Sequence, residues 1–137
     1  DATFEDFSRI CRSLVEFRGE RFETGIVIRP YVELANFGGL KNQHDHPIAE
    51  EYRLLFWDGE LILADSYHEM EAPPASFEKF EGLGERIDSP FFVADVARKK
   101  SDGELILIEL GDGGCCGIPP LVHPAQVYEA IRERMPV

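Results

Sequence analysis

Residues 91–120 constrain the fold of this chain more than any other segment, because they have the pattern of a β-hairpin with a carboxylate on each strand. Asp95 lies inside an apolar run, Asp102-Gly103 is a dipeptide typical of tight turns, and Glu109 lies in the apolar return strand. An ionised carboxylate in an apolar strand pair is costly unless a cation or a hydrogen-bond donor meets it. The hairpin therefore predicts a site with such a partner.

A third acidic residue, Asp112, lies in the glycine-rich loop that follows the hairpin. Oxygen donors from Asp95, Glu109 and Asp112 suit a hard cation such as Mg²⁺, which proteins usually hold together with substrate phosphates. A second interpretation needs no metal. Asp95 would then be a bulge or edge residue and Asp112 a turn former, since Asp-Gly and Gly-Gly sequences are common in loops.

The rest of the chain predicts an antiparallel sheet covered by helices. Alternating apolar residues on both sides of Asp58-Gly59 indicate a second hairpin. Thr3, with Asp6 in the position of a capping-box acid, predicts the start of a helix. This pattern favours an α+β domain with a sheet of about five to six strands and flanking helices. The predicted elements are a helix over 3–17, a strand over 25–34, a loop over 36–47, strands over 51–57 and 60–67, a helix over 76–87, the acidic hairpin, and a helix over 124–135.

Composition excludes some classes of function. The chain has 137 residues, which suits one modest domain. Its net charge of −12 argues against a general nucleic-acid binder and against binding to anionic membranes, since both need surfaces rich in Lys and Arg. The sequence has no apolar run of about 18 residues that would span a membrane. Three cysteines, without a Cys-x-x-Cys motif, favour a reduced, cytoplasmic setting.

Three short motifs occur in a fixed order along the chain: Ile-Arg-Pro-Tyr-Val-Glu-Leu at 28–34, Glu-Tyr-Arg at 51–53 and Glu-Leu-Gly-Asp-Gly at 109–113. Together with the acidic strand of the hairpin, this order resembles the C-terminal, metal- and nucleotide-binding half of the ATP-grasp superfamily. The chain looks most like a sequence-defined clade of bacterial and phage ATP-grasp proteins with the same three motifs.

The resemblance assigns the first motif to a hinge that binds the nucleotide. Tyr31 and Val32 would flank the adenine, Glu33 would accept hydrogen bonds from the ribose hydroxyls, and Arg29 would point at phosphate or carboxylate. The alternative is an edge strand in which Arg29 and Glu33 are solvated, because Pro30 cannot donate to a strand ladder.

The resemblance also assigns the catalytic arginine and the metal ligands. Arg53 would lie beside the transferred phosphoryl group or the substrate carboxylate, where its planar fork bonds two oxygens at once. The alternative for Arg53 is a cross-strand salt bridge. Asp95, Glu109 and Asp112 would hold the Mg²⁺ of Mg-ATP. The usual Glu-x-Asn spacing is absent, so Asp112 would be displaced by one residue and changed in type.

The resemblance implies a Mg-ATP-dependent ligase that joins a carboxylate to an amine or another nucleophile through an acylphosphate. The partners would be a nucleotide and an unknown carboxylate substrate. Residues 1–137 would form a single domain, the C-terminal subdomain without its N-terminal counterpart. We expect such a chain to be inactive alone and to self-associate as a homo-oligomer. The alternative is a non-catalytic module that binds a nucleotide or a protein through a degenerate ATP-grasp site.

Overall fold

The computed structural model describes residues 3–23 and 25–135 and divides into two compact units, Asp1–Tyr31 and Val32–Val137. The first unit contains helix α1 (Phe4–Arg18) and a 3₁₀ turn. The predicted capping box is present: the Asp6 amide donates to Thr3 Oγ1 over 3.1 Å, and the Thr3 amide donates to the Asp6 carboxylate over 3.1 Å. The predicted start of this helix is therefore confirmed.

The second unit is built on a four-stranded antiparallel sheet with strand order β4-β3-β5-β6, and it also contains a separate two-stranded sheet of β1 and β2. Helices accompany these sheets, so the α+β class predicted from the sequence is confirmed. Its elements are β1 (Asn36–Lys41), β2 (Pro47–Ala49), β3 (Glu51–Trp57), β4 (Glu60–Ser66), α2 (Glu78–Glu81), β5 (Phe91–Arg98), β6 (Leu105–Asp112) and α3 (Pro124–Arg132).

Both predicted hairpins form, and their turns explain the sequence. Asp58 and Gly59 have φ values of 47° and 83°, so both central residues of the β3–β4 turn are left-handed. This is the geometry that favours Asp-Gly in a two-residue hairpin. Gly103, in the β5–β6 turn, has a φ of 73°. Each turn places a glycine where a side chain would strain the backbone.

The four-stranded sheet packs apolar residues on both faces, with a separate core on each. On the first face the rings of Phe56 and Phe92 stack 4.6 Å apart, and α2 contributes the buried Phe80. On the second face Leu55 and Val93 pack with residues of α3 and of the segment before it. Part of the second face is polar, and that part carries the candidate site. The buried members of the first core are Tyr52, Leu54, Phe56, Phe80, Phe92, Ala94, Val96 and Leu105, and those of the second are Leu55, Val93, Val122 and Val127.

Three predicted elements differ from the structure. The predicted strand over 25–34 is wrong: the described residues of this segment form no ladder, and only Leu34 makes an isolated bridge, with Lys99. Pro30 lacks the amide that a ladder needs, which explains this. The predicted helix over 76–87 shortens to α2, because glycines at 82 and 84 are poor helix formers. The predicted loop over 36–47 instead contains β1 and the start of β2.

No helix within residues 3–23 and 25–135 is long and apolar enough to cross a membrane.

Candidate functional site

A row of four charged residues crosses the second face of the sheet, one from each strand. Arg53 on β3 pairs directly with Asp65 on β4 and with Asp95 on β5, and Asp95 pairs directly with Glu109 on β6. Residues directly opposite each other in paired strands project to the same face. The register therefore places Arg53, Asp95 and Glu109 on one face, as their predicted roles require.

Arg53 and Asp95 form an ion pair with two hydrogen bonds. Arg53 Nε donates to Asp95 Oδ1 and Arg53 Nη2 donates to Asp95 Oδ2, each over 2.8 Å. Asp95 is 3% exposed, and the Arg53 side chain is 13% exposed. Hydrogen bonding to the carboxylate raises the pKa of the Arg53 guanidinium above its usual range. This is a buried pair in which both charges have well-aligned partners, unlike a surface salt bridge.

Two further contacts surround the guanidinium. Arg53 Nη1 donates to the Gly117 carbonyl over 2.8 Å, and the guanidinium carbon lies 4.6 Å from the centre of the Tyr67 ring. Each of the three guanidinium nitrogens thus has a partner, and the flat group lies over an aromatic ring. Neither Tyr67 nor Gly117 could be found from sequence patterns, because both contacts depend on residues brought from distant strands and loops.

The glycine-rich loop reaches Arg53 because two of its glycines permit close packing. A Cβ on Gly111 would lie 2.4 Å from the sulfur of Cys116, and a Cβ on Gly113 would lie 2.5 Å from the Phe91 ring. A side chain at either position would push the loop away from the sheet. The small residues of this loop therefore set the position of the carbonyl that accepts from Arg53.

Glu51 and His68 form a second titratable pair beside this row. Glu51 shares the face of Arg53, two residues along β3, and its Oε2 lies 3.9 Å from His68 Nε2. Burial and the nearby Asp95 and Glu109 raise the pKa of Glu51 to about 7, against the opposing effect of Arg53. Burial lowers the pKa of His68, whose Nε2 has no hydrogen-bond partner in the described part of the chain. The sequence showed no partner for His68, and the structure supplies Glu51.

Asp112 is not brought together with Asp95 and Glu109. It pairs with Phe92, which belongs to the first core, so the register places it on the opposite face from Asp95. Asp112 follows Glu109 by an odd number of residues along β6, and an odd separation changes the face of a strand. Asp112 Oδ1 accepts from the Gly114 amide over 2.7 Å. Among the described residues no three His, Cys, Asp or Glu side chains are grouped as a metal site.

The pair Asp95 and Glu109 nevertheless has the chemistry that Mg²⁺ prefers. Both are hard oxygen donors on adjacent strands, Glu109 is exposed, and Mg²⁺ in nucleotide sites is commonly held by one or two carboxylates plus phosphates. The residues present therefore fit such a cation, provided that Asp95 has an oxygen to offer. The third ligand predicted at Asp112 stays a prediction.

The predicted hinge spans the point in the sequence where the first unit ends. Val32 and Glu33 belong to the second unit, where the Lys100 amide donates to the Glu33 carbonyl over 2.9 Å and Lys100 Nζ pairs with the Glu33 carboxylate. Arg29 and Tyr31 belong to the first unit, and Tyr31 is 90% exposed. Their contacts to a nucleotide stay predictions.

Comparison with known proteins gives one match. A family model described as an ATP-grasp domain, the third family of its clade, matches residues 1–131. No curated protein and no solved structure matches the chain significantly.

Proposed function

Since this chain belongs to the ATP-grasp superfamily, as a member of the domain family that matches residues 1–131, we propose that it forms the C-terminal catalytic portion of a Mg-ATP-dependent ligase. The ligase would join a carboxylate to an amine or another nucleophile. The observation that carries this proposal is the charged row, in which Arg53, Asp95 and Glu109 share one sheet face. That face combines cation ligands with a guanidinium, as phosphoryl transfer requires.

In the proposed reaction the substrate carboxylate attacks the γ-phosphorus of ATP, giving an acylphosphate and ADP. The amine then attacks the acyl carbon, and phosphate leaves. Asp95 and Glu109 would hold Mg²⁺, which would neutralise charge on the phosphate oxygens. Arg53 would contribute a permanent positive charge and two parallel donors for phosphoryl or carboxylate oxygens. Catalysis of this type depends mainly on positioning and electrostatic stabilisation.

The nucleotide base and ribose would bind at the predicted hinge. Val32 and Tyr31 would flank the adenine, Glu33 would meet the ribose hydroxyls, and Arg29 would face phosphate or carboxylate. Glu33 pairs with Lys100, so ribose binding would compete with an ion pair between two exposed side chains. Such a pair contributes at most about 1 kcal/mol, which makes the exchange feasible.

Titration calorimetry with Mg-ATP tests the nucleotide site. We expect Glu109→Gln to weaken Mg-ATP binding at least about tenfold, because it removes one of two carboxylates that would hold the cation. Glu81→Gln is the matched control, because Glu81 is exposed and lies in α2, which covers the first face. Equal affinities for the two variants would contradict the proposed site.

The ligase chemistry needs a separate measurement on the full-length gene product. Hydroxylamine traps acylphosphates as hydroxamates, so a panel of amino acids and dicarboxylic acids can be screened for hydroxamate and ADP formation. A positive acid should lose hydroxamate formation when Glu109 is replaced by Gln. ADP release without any hydroxamate across the panel would argue against an acylphosphate route.

One structural feature favours the alternative of a non-catalytic module. Asp112 lies away from the other two acids, and both oxygens of Asp95 are occupied by Arg53. A degenerate site of this kind would bind a nucleotide or a protein partner without turnover. Mg-ATP binding that depends on Glu109, combined with no ADP or hydroxamate formation by the full-length protein, would support this alternative.

A further inference from the structure

The Arg53–Asp95 ion pair joins two groups that Mg-ATP would use separately. Asp95 is a candidate cation ligand and Arg53 is a candidate phosphate-binding group, yet each is the other's partner. We propose that this ion pair is a resting state that closes the site, in which Arg53 competes with the divalent cation for Asp95. The pair would open only when cation and phosphate arrive together. This inference rests on the proposed function and concerns the regulation of the same site.

The geometry makes the competition direct. Both Asp95 oxygens accept from Arg53 over 2.8 Å, and the carboxylate is almost fully buried. A cation that takes either oxygen must displace or weaken a charge-assisted hydrogen bond. Glu109, directly opposite Asp95 on β6, is exposed and has no such obstacle. The closed state therefore lies at Asp95.

The surrounding charges explain why neither ligand alone would open the pair. Separating Arg53 from Asp95 leaves two buried charges without partners, which is strongly unfavourable. A cation alone compensates Asp95 and removes the main anionic partner of Arg53; a phosphate alone compensates Arg53 and leaves Asp95 uncompensated near Glu51 and Glu109. Mg-ATP brings a positive and a negative group in one complex, so it compensates both.

Two contacts of Arg53 do not involve Asp95 and would survive the exchange. The Gly117 carbonyl accepts from Nη1, and the Tyr67 ring lies against the guanidinium. They hold the guanidinium at the sheet face independently of the anion that it pairs with. Only the two bonds to Asp95 need to change.

Manganese binding, followed by electron paramagnetic resonance without nucleotide, tests the competition. Arg53→Lys keeps the charge but cannot bond both carboxylate oxygens with a planar fork. We expect this variant to bind Mn²⁺ about tenfold more tightly than the unmodified chain. Arg98→Lys is the matched control, because Arg98 pairs with the buried Glu50 and makes no contact in common with Asp95. Its Mn²⁺ affinity should stay within about twofold of the unmodified chain.

Proton–nitrogen NMR of arginine side chains tests the opening in the unmodified chain itself. The Arg53 Nε–H signal, assigned by its absence in Arg53→Lys, should shift on adding Mg-ATP. It should stay unchanged with MgCl₂ alone or with ATP and EDTA. A signal that is unchanged at saturating Mg-ATP would show that Arg53 is a fixed anchor for Asp95, and the inference would be wrong.

The two measurements separate this inference from the proposed function. Unchanged Mn²⁺ affinity in Arg53→Lys, or an equal gain in Arg98→Lys, overturns the competition even if Mg-ATP binds. A chain that binds no Mg-ATP contradicts the proposed function, while a selective gain of Mn²⁺ affinity in Arg53→Lys still supports competition for Asp95.

Discussion

Asp95 and Glu109 are direct cross-strand neighbours, but their surroundings differ. Asp95 is buried with both oxygens bonded to Arg53, whereas Glu109 is exposed. The sequence places both acids in apolar strands and predicts the same environment for each. The difference arises because β6 is an outer strand of the four-stranded sheet and β5 an inner one, which the sequence of the hairpin does not specify.

The buried ion pair predicts that Asp95→Asn unfolds more easily than Glu109→Gln. Removing one charge of a buried pair leaves the other uncompensated, at a cost of about 3–5 kcal/mol, whereas an exposed charge usually contributes less than about 1 kcal/mol. Urea unfolding, monitored by fluorescence of Trp57, measures both variants. Similar stabilities would show that Arg53 finds another partner. The pattern of the hairpin alone would have predicted an intact fold for both variants.

Glu51 predicts a stability that falls with pH. Its pKa is raised from 4.5 to about 7 in the folded chain, so the folded state holds a proton that the unfolded state has lost between these values. Stability therefore decreases as pH rises from about 4.5 to 7. Glu51→Gln removes this loss, and the variant should gain about 1–2 kcal/mol relative to the unmodified chain at pH 8 compared with pH 4.5, after allowance for solvent screening. Urea unfolding at the two pH values measures it, and a gain that does not depend on pH would contradict this account.

At the scale of elements, local patterns predicted the hairpins better than the helices. Strand alternation and Asp-Gly turns specify the pairing of β3 with β4 and of β5 with β6, and register then follows from turn geometry. The central pairing of β3 with β5 joins Arg53 to Asp95, which lie 42 positions apart, so no turn specifies it. That pairing creates the ion pair of the site. The residues of the site could thus be identified through resemblance, whereas their partners depend on tertiary structure.

The shortened helix α2 has a structural reason that a glycine substitution can test. A Cβ on Gly84 would lie 1.7 Å from the Gly59 carbonyl oxygen, whereas a Cβ on Gly82 meets nothing within 4 Å. Gly84→Ala must therefore displace the β3–β4 turn, and we expect it to destabilise the chain by about 2–4 kcal/mol. Gly82→Ala is the matched control and should be neutral or stabilise by up to about 1 kcal/mol. Equal thermal midpoints for the two variants would mean that the turn moves without cost.

At the scale of the whole molecule, charge distinguishes this chain from proteins that attract nucleotides through basic surfaces. The net charge is −12, and the candidate face combines Asp65, Asp95 and Glu109 with Arg53. The long-range field therefore repels ATP, and affinity has to come from short-range contacts and from a cation that bridges carboxylates and phosphates. The positive group in the row is already paired with Asp95, which adds to this requirement.

This charge distribution predicts an unusual salt dependence for nucleotide binding. ATP with EDTA should bind with a dissociation constant weaker than about 1 mM, and Mg-ATP should bind the 137-residue chain at about 0.1 mM or weaker. Raising NaCl from about 20 to 200 mM at fixed free Mg²⁺ screens the repulsion between an anionic protein and an anionic ligand, while partly buried contacts are screened less. Mg-ATP affinity should consequently stay level or rise with salt, as calorimetry would measure. A loss of about tenfold over this range would show that exposed basic residues attract the nucleotide, and the assignment of binding to the acidic row would then be wrong.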